Sequence, residues 1–264
     1  MENRETHRRS QWHPSWEVLV NSVIKMSVVV ASIVASLWAG STAAQAEETT
    51  IVAFGDSTTA TRGPLKIYAK VLEQELPARG LAVRVINAGI GGHNTNNARA
   101  RFQKDVLAHE PDVVIVQFGI NDSAVDVWRK PPAREPRVSL KTYAANLTHL
   151  VKTLTARKTR VVLMTPNPLR WTPKLKTLYG KPPYDVEDAD GFNVLLKKYA
   201  QAVRELGKRE QVTVIDVYAT FETFGKKDGQ SVDDLLLDGM HPNDRGQRIV
   251  AELLVEALAG KQGR

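Results

Sequence analysis

Short apolar runs alternate along the chain with longer segments whose apolar residues recur every three or four positions. The runs predict strands at Thr50 to Phe54, Leu81 to Ile86, Val113 to Phe118, Arg160 to Met164 and Val212 to Ile215. Val113 to Phe118 is almost uniformly apolar, the pattern of a central parallel strand covered on both faces. Between the runs lie helical stripes. Pro64 fits the first turn of a helix carrying Ile67, Val71, Leu72 and Leu76, with Gly80 as its stop. Thr95 is the expected cap of a helix bearing Ala98, Phe102 and Val106. Ser139 is the expected cap of one bearing Tyr143, Leu147, Leu150, Val151 and Leu154. A further helix is expected over Gly191 to Leu206, and after the last strand a short helical stretch. A final helix, capped by Asn243, should face Ile249, Leu253, Leu254 and Ala257 inward. Strict alternation of strand and helix means an α/β fold with a doubly wound parallel sheet and right-handed crossovers. Two long insertions interrupt it, residues 126–138 and roughly 165–188.

The first 46 residues do not belong to that pattern. A polar, basic start with Arg8, Arg9 and Lys25 leads to an apolar run from Ser27 to Trp38, then Ala44-Gln45-Ala46. This is the layout of a secretory signal peptide cut after Ala46, which leaves residues 47–264 as one domain outside the cytoplasm. The run falls short of the ~20 residues of a membrane span. Met26 is an alternative start that would give the leader more usual proportions. The chain has no cysteine, which excludes thiol catalysis and disulfides. No nucleic-acid recognition motif accompanies the formal charge of +7.

Candidate chemistry sits where strands end. The first strand stops at Gly55-Asp56-Ser57, which places a hydroxyl at the carboxyl edge of the sheet, where α/β proteins bind ligands. A serine needs a base to act as a nucleophile, and the best of six histidines is His241. It lies three residues after Asp238 on a turn that opens a helix, a spacing that lets the carboxylate hold one ring nitrogen while the other faces the serine. His7 and His13 fall in the leader, His109 and His149 on helix surfaces. His93 is the rival, in the loop after Gly92, and is read there as a substrate-facing or solvated residue. Asn121 offers an amide donor just past the central strand. Gly89, Gly91 and Gly92 are each open to close approach of a ligand by the backbone. Asp56 and Asp122 are expected to support loops.

Four blocks, Gly55-Asp56-Ser57, Asn87-Ala-Gly89-Ile-Gly-Gly92, Gly119-Ile-Asn121-Asp122 and Asp238-Gly-Met-His241-Pro242, together resemble the SGNH (GDSL-type) family of serine esterases. The resemblance runs from about Thr50 to the last helix. It implies a flavodoxin-like three-layer α/β/α sandwich with a five-stranded sheet in the order 2-1-3-4-5. It also implies a catalytic triad of Ser57, Asp238 and His241, and an oxyanion hole of Ser57, Gly92 and Asn121, since Gly89 and Gly92 match the family's Gly-x-x-Gly. No cofactor or metal is implied. Gly-Asp-Ser-Thr, with Thr165-Pro-Asn-Pro168, is similar to the form found in carbohydrate acetylesterases such as rhamnogalacturonan acetylesterases. The expected activity is therefore hydrolysis of short-chain, acetyl esters of a small molecule or polysaccharide through a Ser57 acyl-enzyme. Trp128 and Trp171, one on each insertion, are candidate sugar-stacking residues, with His93 a third substrate contact. Arg129, Lys130, Arg134, Arg137, Arg170, Lys174 and Lys176 make the insertions basic, which would suit anionic glycans. A lipid or thioester hydrolase, a sugar O-acyltransferase and an inactive glycan-binding descendant remain alternatives.

Overall fold

The structure, a computed structural model, describes residues 48–260; the expected leader and Met26 lie outside the described residues. Strand β1 (Thr49–Gly55) is followed by α1 (Tyr68–Ala78), β2 (Val83–Gly89), α2 (Thr95–Asp105) and β3 (Val113–Gln117). The single turn α3 (Ile120–Ser123) and α4 (Leu140–Ala156) come next, then β4 (Arg160–Met164), α5 (Pro173–Tyr179) and α6 (Leu196–Glu210). The chain closes with β5 (Thr213–Ile215), α7 (Val217–Gly225) and α8 (Asp244–Ala259). All strands are parallel, in the expected order β2-β1-β3-β4-β5.

Strand side chains alternate between two buried layers, which is why the strands read as continuous apolar runs. Ile51, Ala53, Val113, Ile115, Val162 and Met164 pack beneath α1, α7 and α8. Val52, Phe54, Val114, Val116, Val161 and Leu163 face α2, α4 and α6. A third cluster has Ile120, Val125, Val127, Leu169, Leu175, Tyr179, Tyr184 and Phe192, much of it from the insertions. The insertions thus share a core with α3, α6 and α7. No helix among the described residues is long and apolar enough to cross a membrane.

Several element ends differ from the expected ones. Helix α1 starts at Tyr68 rather than near Pro64, because Ile67 is extended and the Tyr68 N–H is taken by Gln247 Oε1 of α8 at 2.8 Å. The cap of α2 is Asn94, whose Oδ1 accepts from the Asn96 and Asn97 N–H groups. Thr95 turns inward to Asp122 instead. The expected helix over 191–206 is a 3-10 turn, Gly191–Asn193, followed by α6. Helix α8 buries Val250, Ala251, Leu254, Val255 and Leu258; of the four residues expected inward, Ile249, Leu253 and Ala257 lie on its shoulder. Asn146, in an Asn-x-Thr run, is buried and donates to Thr95 and Asn96.

Candidate active site

Register brings Gly55, Gly89 and Gln117 side by side at the carboxyl edge of the sheet. Past Gly55 the chain folds tightly. Asp56 Oδ1 accepts the Thr58 N–H at 2.9 Å, and the Asp56 carbonyl accepts from Thr59 and Ala60. The Thr58 hydroxyl lies 2.9 Å from both Asp56 Oδ1 and Gln117 Oε1, and its carbonyl accepts from Gln247. Arg101 donates to the Gly55 and Ala88 carbonyls, tying β1 to β2 just below. These bonds leave Ser57 at the tip of a fixed elbow. Burial pushes the Asp56 carboxyl up, against the lowering effect of its Thr58 hydrogen bonds and of His241.

His241 Nε2 lies 2.9 Å from Ser57 Oγ, and Nδ1 lies 2.8 and 2.9 Å from the two Asp238 oxygens. A carboxylate only accepts, so Nδ1 carries the proton and Nε2 presents its lone pair to the serine. Asp238 Oδ1 also accepts the N–H groups of Met240 and His241. Burial raises the Asp238 carboxyl, but the bonds from the His241 ring and main chain outweigh this and hold it well below the usual carboxylate range. The turn is fastened from outside. Asn167 donates to the Met240 carbonyl, Arg170 N–H to the Gly239 carbonyl, and Leu237 N–H to the His241 carbonyl. The role of Asn167 was missed in the sequence; an asparagine held between Pro166 and Pro168 was the available signal.

On the other side of Ser57 runs the Ile90 to Asn94 loop. The N–H of Gly89 is occupied by Asn87 Oδ1, whereas those of Ser57, Gly91 and Gly92 donate to no acceptor among the described residues. Gly92 has φ of +78° and nothing within 4 Å of where a Cβ would stand. Asn121, in α3, donates from Nδ2 to the His93 carbonyl at 3.1 Å, and its Oδ1 accepts from Arg137 Nη1 at 3.1 Å. Asp122 secures the same loop, with Oδ1 accepting the Thr95 N–H at 2.8 Å and hydroxyl at 2.5 Å. Both Asp56 and Asp122 hold loops, as expected of them.

Burial pushes the Asp122 carboxyl up to about 6, opposed by the Thr95 bonds and reinforced by Asp56. Its folded value thus exceeds the unfolded one near 3.9, so the stability it contributes is full below about pH 4 and is lost as pH rises through 6. Two pH units correspond to about 2–3 kcal/mol. Asp122→Asn imitates the protonated acid and removes this dependence. Relative to wild type, its Tm should rise on the order of 5 °C between pH 4.5 and 7.5. Parallel thermal melts check this; a constant offset between the two proteins would refute it.

Among the candidate substrate contacts, His93 is half-buried, its Nδ1 has no hydrogen-bond partner among the described residues, and burial lowers its pKa, with Arg101 adding to the effect. Trp128 is 46% exposed beneath the Arg129 guanidinium. Trp171 stacks on Phe192 at 4.4 Å and donates to the Asp185 and Asp188 carbonyls, so it serves the third cluster. Neither tryptophan shares a hydrogen bond with the Ser57, Asp238 and His241 group among the described residues. Of the basic insertion residues, Arg129 and Arg137 pair with Asp126, and Arg170 pairs with Glu222.

Residues 53–249 match the GDSL-like Lipase/Acylhydrolase family. The uncharacterised lipoprotein YqeF of Bacillus subtilis is 32% identical over 218 residues, 76% of this chain and 86% of its own. An acetylxylan esterase of Geobacillus stearothermophilus is 27% identical over 183 residues, 67% of this chain and 73% of its own. The crystal structure of a lipase/acylhydrolase from Enterococcus faecalis aligns with a TM-score of 0.61 at 26% identity, over 81% of this chain and 100% of that one. With strand-end blocks, sheet order and relatives in agreement, the chain belongs to the GDSL-like lipase/acylhydrolase family and is a carboxylic ester hydrolase.

Proposed function

We propose that the protein is a secreted or periplasmic acetylesterase acting on acetylated carbohydrate through a covalent Ser57 intermediate. The observation that carries this reading is the unbroken line Asp238–His241–Ser57, with contacts of 2.8 and 2.9 Å. Ser57 Oγ attacks the ester carbonyl while its proton passes to His241 Nε2. Asp238 stabilises the imidazolium that forms. The carbonyl oxygen becomes an alkoxide, which the N–H groups of Ser57 and Gly92 and the Nδ2 of Asn121 receive. Collapse of this intermediate breaks the bond to the alcohol, which leaves with the His241 proton. Water then enters, gives a proton to His241, attacks the acyl carbonyl and releases the acid as Ser57 recovers its own proton.

Two observations favour a short acyl group on a sugar. A small cavity of about 40 Å³, lined by Asn121, Met240, Leu169, Tyr184, Phe192 and Leu196 but not by Ser57 or His241, lies on the Asn121 side of the site, and we take it as the acyl pocket. One relative is an acetylxylan esterase. Trp128, 46% exposed with Arg129 over its ring, and His93 are the proposed sugar contacts. Three of the seven basic insertion residues, Arg129, Arg137 and Arg170, are paired with carboxylates, which lowers the positive charge left for an acidic glycan.

Initial rates on p-nitrophenyl esters from acetyl to octanoyl, followed by acetate release from acetylated xylo-oligosaccharides, test this. We expect kcat/KM to fall at least about tenfold from acetyl to butanoyl, as methylenes outgrow the pocket. A maximum at octanoyl would shift the reading to lipid hydrolysis, and transfer of acetyl to an added sugar in place of water would mark an acyltransferase. Protein recovered from the extracellular fraction should begin at Glu47 by intact mass; one still carrying residues 1–46 would overturn the secretion part.

A further inference from the structure

In the first insertion both Arg129 and Arg137 pair with Asp126, and of the two Arg137 also reaches Asn121. Arg137 clasps Asp126 with Nε and Nη2, at 3.0 and 2.7 Å to Oδ1, and the Asp126 side chain is only 2% exposed. Its third nitrogen, Nη1, reaches Asn121 Oδ1 at 3.1 Å. The main chain fixes this reach: Arg137 N–H donates to the Ala124 carbonyl, and Val138 N–H to that of Asp122. The arginine is therefore stapled, by backbone and side chain, to the segment that carries Asn121.

A carboxamide can flip, exchanging its oxygen and nitrogen at little cost in shape. Two neighbours here oppose the flip. A guanidinium only donates, so it requires the oxygen; the His93 carbonyl only accepts, so it requires the nitrogen. With both satisfied, the second Nδ2 proton makes no hydrogen bond among the described residues, although the amide lies near enough to Asp56 to help lower its carboxyl, and it is this proton that a ligand can take. Were the amide reversed, its oxygen would meet the developing alkoxide and repel it. A cation on Oδ1 also polarises the amide and strengthens its N–H as a donor.

We propose that Arg137, anchored by Asp126, is a positioning residue that locks the Asn121 carboxamide in its donating orientation, so that the basic first insertion serves the oxyanion hole. This rests on Asn121 being an oxyanion donor, as set out above. Lysine is no substitute, because one ammonium cannot span Asp126 and Asn121 as the fork does.

The test is a double-mutant cycle on kcat and KM for p-nitrophenyl acetate, with Tm measured for each protein. Asn121→Ala should lower kcat by about 10²-fold, the effect of losing one oxyanion donor. Arg137→Met should lower kcat about tenfold with KM within threefold of wild type, a loss confined to the transition state. Arg137→Lys keeps a cation against buried Asp126, so it should retain Tm while losing kcat similarly; it decides the matter if Arg137→Met does not fold. The double variant Asn121→Ala/Arg137→Met should be no slower than Asn121→Ala, since the arginine acts only through the amide. Wild-type kcat in a folded Arg137→Lys, or losses that multiply in the double variant, would overturn the inference. Unchanged kcat in Asn121→Ala would instead overturn the oxyanion assignment beneath it.

Discussion

Ser57→Ala will lower kcat on p-nitrophenyl acetate by about 10⁴–10⁶-fold, His241→Ala will do the same, and the double variant will be no worse than either. The non-additivity follows from the geometry. His241 Nε2, 2.9 Å from Ser57 Oγ, has no task in the first step unless a serine proton is there to take. The hydroxyl, without that base, is too weak an acid to ionise at neutral pH. Removal of either group therefore removes what both do. Asp238→Asn should cost less, about 10²–10⁴-fold. The carboxylate side chain is 46% exposed against 16% for the His241 ring, so water can take up part of the imidazolium's charge after the change. Initial rates on purified proteins of equal Tm measure all four. Losses that multiply in the double variant would mean that the two residues act independently, and the acyl-enzyme scheme would fall.

The parts of this site legible in the sequence are those that chain direction alone determines. Ser57 and Asn121 follow apolar runs, and a strand's end must lie on the sheet's edge. His241 and Asp238 are three residues apart on one turn, so their contact is local. The two-sided cover of the sheet was equally legible, because successive residues of a central strand must all be apolar when helices cover both sides. What was not legible depends on contacts between distant segments. Helix α1 begins late because Gln247, from the other end of the chain, receives its first N–H. Thr95 looked like a cap and is instead pulled onto Asp122. The inward face of α8 was misjudged because the helix packs between the sheet and α1, and a single stripe understates the surface it buries. Arg137 read as one more loop charge, since nothing local couples it to Asp126 or Asn121. Trp171 read as a candidate sugar-stacking residue because the stack with Phe192 is made across the second insertion.

Gly239→Ala will abolish most activity although alanine touches no substrate, and Gly80→Ala will not. The two glycines have nearly the same φ, +82° and +83°. Each substitution therefore pays the same strain for a left-handed non-glycine residue, about 1–2 kcal/mol. They differ in what the new methyl meets. At Gly80 there is nothing within 4 Å. At Gly239 a Cβ would stand 2.5 Å from the Arg170 carbonyl oxygen, 2.9 Å from Thr172 and 3.0 Å from Leu175. The Arg170 carbonyl is backbone next to the Arg170 N–H that donates to the Gly239 carbonyl, so moving this segment aside strains the bond that fastens the turn. The Asp238 to His241 segment must shift instead, and a displacement of about 1 Å at the reacting groups costs on the order of 10²-fold in rate. We expect a kcat loss of at least that size for Gly239→Ala, with a Tm deficit larger than that of Gly80→Ala, which should keep kcat within twofold. Rates and melts on the two variants side by side separate strain from collision. Equal kcat in both would mean that the turn yields without moving His241, and that Asn167 and Arg170 do not set its position.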